Sequence, residues 1–219
     1  MNLEEYRDKL CEFIDTVQIK DDFVAIDQLS DNLRVRVKAY VYEHWNRFDA
    51  GIKILSKVVK DGCSIHEVGS PYPFFSYYFY LNNKCKVLCS DFYDRGWKID
   101  DNLESRRINL CRVEYLPAAD IIICSEVLEH LSCNLFKLRD ILLSSCRYCL
   151  MTLPNGNVGV DIPLNKCSRD DEFDKVHSHL REFYGRIGDY LEGCNVIFNY
   201  RVDTESYKGI EILLLKGGL

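Results

Sequence analysis

No stretch of this chain is apolar for long enough to cross a bilayer, which takes roughly 20 consecutive apolar residues. The first residues, Met1–Asn2–Leu3–Glu4–Glu5, place two acids where a secretory leader would place basic residues and then an apolar run. A surplus of positive charge is missing too. Lys and Arg number 28 against 34 Asp and Glu, a formal net charge of -6, which disfavours non-specific hold on a phosphate backbone while leaving a local basic patch open. There is no internal repeat, no low-complexity tract and no compositional shift that would cut the chain in two. These absences lead to an expectation of a cytoplasmic protein, away from the membrane, handling small or neutral substrates, with nucleic acid a disfavoured partner.

Two more absences narrow the chemistry. Cysteine is plentiful at 11 residues but never clustered. Cys146-x-x-Cys149 is the single C-x-x-C pair, with neither a second pair nor suitably spaced histidines nearby, so no metal site is expected. Both thiols border a predicted strand, where cysteine is usually buried structure, and a cytosolic setting would keep them reduced. The G-x-G-x-x-G turn that cradles the pyrophosphate of a nicotinamide dinucleotide is also missing: Gly69 is followed by Ser70–Pro71–Tyr72–Pro73.

Hydrophobic residues make up 47% of the 219, ample for a core. Leu3, Tyr6, Leu10, Phe13, Ile14 and Val17 recur at helical spacing over residues 1–17. Ser30–Asp31–Asn32 breaks the pattern, and a longer helical region is expected from Asn32 to about Lys60. It is interrupted near Asn46–Asp49, with Asp49 as a cap and Gly62 as a C-terminal stop. Beyond that point strands and helices alternate. Strands are expected at Ser64–Val68, Cys85–Ser90, Arg106–Leu110, Asp120–Cys124, Tyr148–Leu153, Asn195–Val202 and Gly209–Lys216. Helices are expected over Pro71–Leu81, Cys133–Ser145 and His177–Glu192, with a loop over 157–176. Seven strands alternating with helices predict an α/β fold with a mostly parallel sheet. Residues 1–60 read as a helical appendage and 61–219 as the α/β body of a single domain.

The stretch Ala118–Leu131 organises the rest. Three successive isoleucines, Ile121 to Ile123, mark a strand covered on both faces, and Cys124–Ser125–Glu126 then turns polar before Val127, Leu128 and Leu131 resume at helical spacing. Ligands of open α/β sheets sit beyond the carboxyl ends of the strands, which is where Glu126 and His130 fall. The plainer possibility is that Glu126 caps a turn and His130 packs beneath a loop. Other strand ends carry matching groups. Glu67 and Gly69 follow the first strand, a carboxylate at Asp91 after the second could accept from a ribose diol, and Asn109 and Leu110 after the third could read an adenine edge.

Glu67-Val-Gly69, Asp91, and Cys124–Ser–Glu–Val–Leu–Glu–His130–Leu preceded by Asp120 resemble the class I S-adenosylmethionine-dependent methyltransferases, closest to a small-molecule and glycan-modifying group. The resemblance spans about residues 50–200, and Arg181–Glu182–Phe183 after His177-x-His179 resembles a segment that borders the substrate cavity in that group. It implies a Rossmann-like, doubly wound, seven-stranded sheet whose last strand is antiparallel. It implies that Glu67, Gly69 and Ser70 hold the methionine end of S-adenosylmethionine, Asp91 and Phe92 the ribose side, and Asn109 and Leu110 the adenine, with Ser125 and Glu126 beside the sulfonium. Methyl transfer to an oxygen or nitrogen of a small molecule or saccharide follows, a hydroxyl acceptor needing a base. His130, His177 and His179 are the candidates, with Glu126 behind them, because imidazole titrates near neutrality. The aromatic run Tyr72–Tyr80 packs on the sheet or, through Tyr72 or Phe74, roofs the crevice. Two alternatives stay open: a methyltransferase-like binding module without catalysis, and a nucleic-acid methyltransferase. The N-methylating kind of the latter would carry an Asn/Asp-Pro-Pro-aromatic motif where this chain has Leu153–Pro154–Asn155–Gly156.

Overall fold

The computed structural model describes residues 1–17, 26–93, 95–154, 183, 186–204 and 209–219, with the backbone alone for 26–33. Three helices lead: α1 (Leu3–Thr16), α2 (Ile26–Glu43) and α3 (Trp45–Leu55). Then come β1 (Ser64–Val68), α4 (Ser76–Asn83), β2 (Lys86–Asp91), β3 (Lys98–Asp100), β4 (Leu103–Arg107) and β5 (Ala119–Ser125). A single 3₁₀ turn at Leu128–His130 precedes α5 (Leu135–Ser144), β6 (Cys146–Pro154), α6 (Ile187–Tyr190), β7 (Asn195–Val202) and β8 (Ile210–Lys216). Among the described residues no helix is long and apolar enough to cross a membrane.

The strands form one sheet in the order β3-β4-β2-β1-β5-β6-β8-β7. From β4 to β6 every pairing is parallel. The last strand, β8, runs antiparallel to both of its neighbours. The chain therefore winds outward from β1 in both directions, and the switch point lies between β1 and β5. Val68 pairs with Ser90 on one side and Cys124 on the other, so these strands end level with one another.

The isoleucine run explains how the sheet is buried. Ile121 and Ile123 face a core shared with α1, α3 and α4, whereas Ile122 faces a second core shared with α5 and α6. Each is at most 1% exposed, and burying such a side chain contributes roughly 1.5–3 kcal/mol. On the first face α1 does more than cover the sheet. Its Tyr6 hydroxyl donates to the Phe74 carbonyl at 2.6 Å, and Phe13 packs 4.6 Å from the Tyr77 ring, so α1 clamps the segment that follows β1.

Several expected boundaries shift for identifiable reasons. The sheet has an eighth strand, β3, which follows a left-handed Gly96 (φ 59) and pairs antiparallel with β4 across a turn at Asp101–Asn102. The strand expected at Arg106–Leu110 lies earlier, at Leu103–Arg107, because Ile108 and Leu110 pack with the second core as the chain leaves the sheet. The break expected at Ser30–Asn32 is absent, as α2 runs through it. The real interruption is at His44, the N-cap of α3, which places Asp49 inside a helix, paired with Lys53 at 2.6 Å. That helix stops at Leu55, so Gly62 (φ 75) serves a later turn, its N–H donating to the Asn83 carbonyl. The helix expected from Pro71 begins only at Ser76, since Pro71 and Pro73 hold the preceding chain out of helical conformation. Helix α5 starts at Leu135, where the Asn134 side chain accepts from the Phe136 and Lys137 amides. Cys146 and Cys149 are buried on β6, as expected.

Candidate active site

Four expected positions converge on one rim. Gly69, Asp91, the Asn109 turn and Ser125–Glu126 lie at or just beyond the carboxyl ends of β1, β2, β4 and β5, which are adjacent in the sheet. Gly69 is left-handed at φ 67, and the Val127 side chain fills the space beside its α-carbon. Ser70 continues the ladder, its N–H donating to the Ser90 carbonyl at 2.9 Å while its hydroxyl donates to the Tyr72 carbonyl. Beneath it, His66 Nε2 lies 2.9 Å from Ser90 Oγ, and burial lowers that imidazole to about 4.

Glu67 faces inward rather than toward the rim, and it is 1% exposed. Helix α4 has Phe75 at its N-cap, a residue without a capping side chain, and Glu67 replaces the cap from the neighbouring strand. Its carboxylate accepts from the Phe75 amide at 3.2 Å, the Ser76 amide at 3.0 Å and the Ser76 hydroxyl at 2.6 Å. Burial outweighs these bonds and pushes the carboxyl up to about 7. The carboxylate expected at the methionine end is engaged by the loop that enters α4. In that loop Tyr72 and Phe75 are buried in the first core, and Phe74 stacks on Phe48 of α3 at 5.5 Å.

Asp91 stands at the end of β2 with both carboxylate oxygens engaged. Its Oδ1 accepts from the Phe92 amide at 2.7 Å, and its Oδ2 from Arg95 Nε at 2.7 Å. Phe92 is half-buried, and Arg107 Nε donates to its carbonyl at 3.1 Å. Asn109 forms a turn in which its Oδ1 accepts from the Cys111 amide at 3.0 Å. It borders a cleft of about 500 Å³ shared with Arg107, Arg112 and Tyr115. Leu110, expected beside it, turns into the second core instead.

At β5 the polar crest is a built network. Glu126 is left-handed at φ 52, which turns its side chain back toward β6. Thr152 Oγ1 donates to Glu126 Oε1 at 2.9 Å and lies 2.9 Å from Ser125 Oγ, so the hydroxyls run as a chain from Ser125 through Thr152 to Glu126. From the other side comes a residue that sequence patterning does not reveal. Arg47 of α3, 1% exposed, brings Nη1 to 3.7 Å from Glu126 Oε2 and donates through Nη2 to the Tyr40 hydroxyl. Its guanidinium lies over the Tyr40 and Phe48 rings, at 5.2 and 4.8 Å.

Glu129 completes the cluster. It is fully buried, and among the described residues neither carboxylate oxygen has a hydrogen-bond partner. Burial, then the neighbouring Glu126 charge, raises it well above the usual carboxylate range, so it favours its protonated form. Burial likewise raises Glu126, against the opposing pull of Arg47. His130, in the 3₁₀ turn rather than an α-helix, places Nε2 at 3.7 Å from Glu129 Oε1 and is about one-third exposed. His177 and His179, together with Arg181 and Glu182, lie outside the described residues.

No family model and no curated protein matches the sequence. Solved structures do. Magnesium protoporphyrin IX methyltransferase (ChlM) from Synechocystis PCC 6803 with bound SAH superimposes at TM-score 0.58 and 13% identity, over 99% of this chain and 100% of that one. Burkholderia thailandensis 1,6-didemethyltoxoflavin-N1-methyltransferase, with 1,6-didemethyltoxoflavin and S-adenosylhomocysteine bound, gives 0.52 at 11% identity, over 92% and 94%. The pyocyanin biosynthetic protein PhzM gives 0.52 at 12% identity, over 95% of this chain and 62% of that one. At such identities the likeness carries the fold: this chain has the α/β architecture of the S-adenosylmethionine-dependent methyltransferases.

Proposed function

We propose that the chain is an S-adenosylmethionine-dependent methyltransferase acting on an oxygen or nitrogen of a small molecule or saccharide. One observation carries this reading: Gly69, Asp91, Asn109 and Ser125–Glu126 converge on a single rim, at the switch point of a doubly wound sheet. The donor set fits the cofactor. Asp91 offers a partly exposed carboxylate to the ribose diol, and Asn109 offers an amide beside an open cleft for the base. Ser125, at the head of the Ser125–Thr152–Glu126 chain, would stand beside the sulfonium. The bound cofactor supplies a methyl group already activated on a sulfonium, so alignment is the main demand on the protein.

The remaining roles belong to this chain's own residues. Glu67 caps α4 and so fixes the loop over the methionine end, while α1 holds that loop from above through Tyr6. The Ser125–Thr152–Glu126 chain, braced by Arg47, orients the acceptor side of the crest. His130 takes the proton of a hydroxyl acceptor, its Nε2 lying 3.7 Å from the buried Glu129 carboxyl. Helices within residues 1–60 wall the acceptor cavity, a placement favoured by the reach of Arg47 from α3.

A second reading is favoured by the grip of Arg95 on Asp91 and of Val127 on Gly69: a methyltransferase-like module that binds a partner without catalysis. Calorimetric titration of S-adenosylmethionine into the full chain separates the two. Saturable heat that is lost in Asp91→Ala supports the enzyme. Absence of both heat and a thermal shift supports the binding module.

A further inference from the structure

The turn that leaves β4 and the segment entering α5 bring Cys111 and Cys133 to one cavity of about 200 Å³, lined also by Arg112, Asn134 and Lys137. Cys111 Sγ lies 3.8 Å from Ser132 Oγ. Cys133 follows Ser132 directly and lines the same cavity, where it is buried while Cys111 is partly exposed. This setting differs from that of the other interior thiols. Burial pushes Cys85 up to about 12 and also raises Cys89 and Cys124, whereas the Cys133 thiol, aided by the Ser132 hydroxyl and nearby amides, holds Cys111 down at about 6 against its burial.

We propose that Cys111 and Cys133 form a dithiol site for exchange with small anionic disulfides such as glutathione disulfide, with Cys111 attacking and Cys133 resolving. In the first step the Cys111 thiolate bonds to one sulfur of glutathione disulfide. The S–S bond breaks, and one glutathione leaves with the electron pair and takes up a proton. Cys133 then loses its proton to solvent and attacks Cys111 Sγ, expelling the second glutathione. Two protein thiols become one disulfide while one glutathione disulfide becomes two thiols. Arg112 and Lys137 outnumber Glu114 in the lining, a positive excess that favours the anionic tripeptide.

The test uses the reduced full chain near neutral pH. Without any substitution, limited alkylation by iodoacetamide followed by peptide mass mapping is expected to label Cys111 about tenfold faster than Cys63. With glutathione disulfide, non-reducing peptide maps are expected to show a Cys111–Cys133 bridge. Cys133→Ser should stop at one glutathione on Cys111, and Cys111→Ser should leave Cys133 reduced. Equal labelling rates, or recovery of both cysteines unbridged while other thiols react, would overturn the proposal. Neither readout depends on methyl transfer.

Discussion

A β-carbon on residue 69 would fall 2.6 Å from both γ-carbons of Val127, and the backbone there is left-handed at φ 67. Gly69 and Val127 thus lock the exit of β1 against the exit of β5, on either side of the switch point. Gly69→Ala should cost about 3 kcal/mol, combining overpacking with left-handed strain. In a Val127→Ala background the same change should cost less, about 1 to 2 kcal/mol, the left-handed strain plus a residual 3.2 Å approach to the β-carbon of residue 127. Urea unfolding of the four proteins in this cycle measures the difference. Additive effects would mean that the two turns do not press on each other.

What could be read from the sequence was what local pattern encodes. Ile121–Ile123 announces a strand with two covered faces because the run is short and β-branched, and Asp91 and Gly69 stand at strand ends that follow from it. Arg47 gives no such signal. In a helical repeat it reads as surface charge, and only the approach of α3 to β5 makes it the buried partner of Glu126. Glu67 reads as a ligand-facing acid for the same reason: that it caps α4 depends on where Ser76 comes to rest. Strand β3 was illegible because all three of its residues are exposed, so no apolar alternation marks it.

Arg47 is the permanently charged group beside Glu126 among the described residues, and its removal strands that carboxylate in the interior next to the buried Glu129. Arg47→Met should destabilise the fold by about 3 to 5 kcal/mol. Arg47→Lys should recover only part of this, because an ammonium cannot lie flat over the Tyr40 and Phe48 rings as the guanidinium does. Adding Glu126→Gln to Arg47→Met should restore stability by removing the uncompensated charge. Chemical denaturation of these variants checks the order, and an Arg47→Met protein as stable as the parent would refute the pairing.

Arg95 competes for the carboxylate proposed to hold the ribose. Its Nε and Nη2 both reach Asp91 Oδ2 at 2.7 Å, and both side chains are about 15% exposed or less. If the ligand must displace a charge-assisted bond, Arg95→Ala should tighten S-adenosylmethionine binding by about tenfold, or about 1.4 kcal/mol. Calorimetry reads this directly. Weaker binding would instead make Arg95 a contact of the ligand.

Glu67 should leave a signature in the pH dependence of stability. Its carboxyl is raised from 4.5 to about 7, so the folded state favours the protonated form. That contribution is fully present below pH 4.5 and is lost as pH rises through 7, a span worth about 3 kcal/mol. Glu67→Gln cannot titrate, so the stability of the parent relative to this variant should fall by about that amount between pH 4.5 and 7 and then level off. His44 and His66, lowered by burial to about 3 and about 4, act in the opposite sense, destabilising both proteins as pH falls below 6.5. Being common to both, they cancel in the difference. Urea midpoints across this range provide the measurement. A difference that rises with pH would mean that the Phe75 and Ser76 donors hold the carboxylate charged despite its burial, and that capping α4 outweighs desolvation at this position.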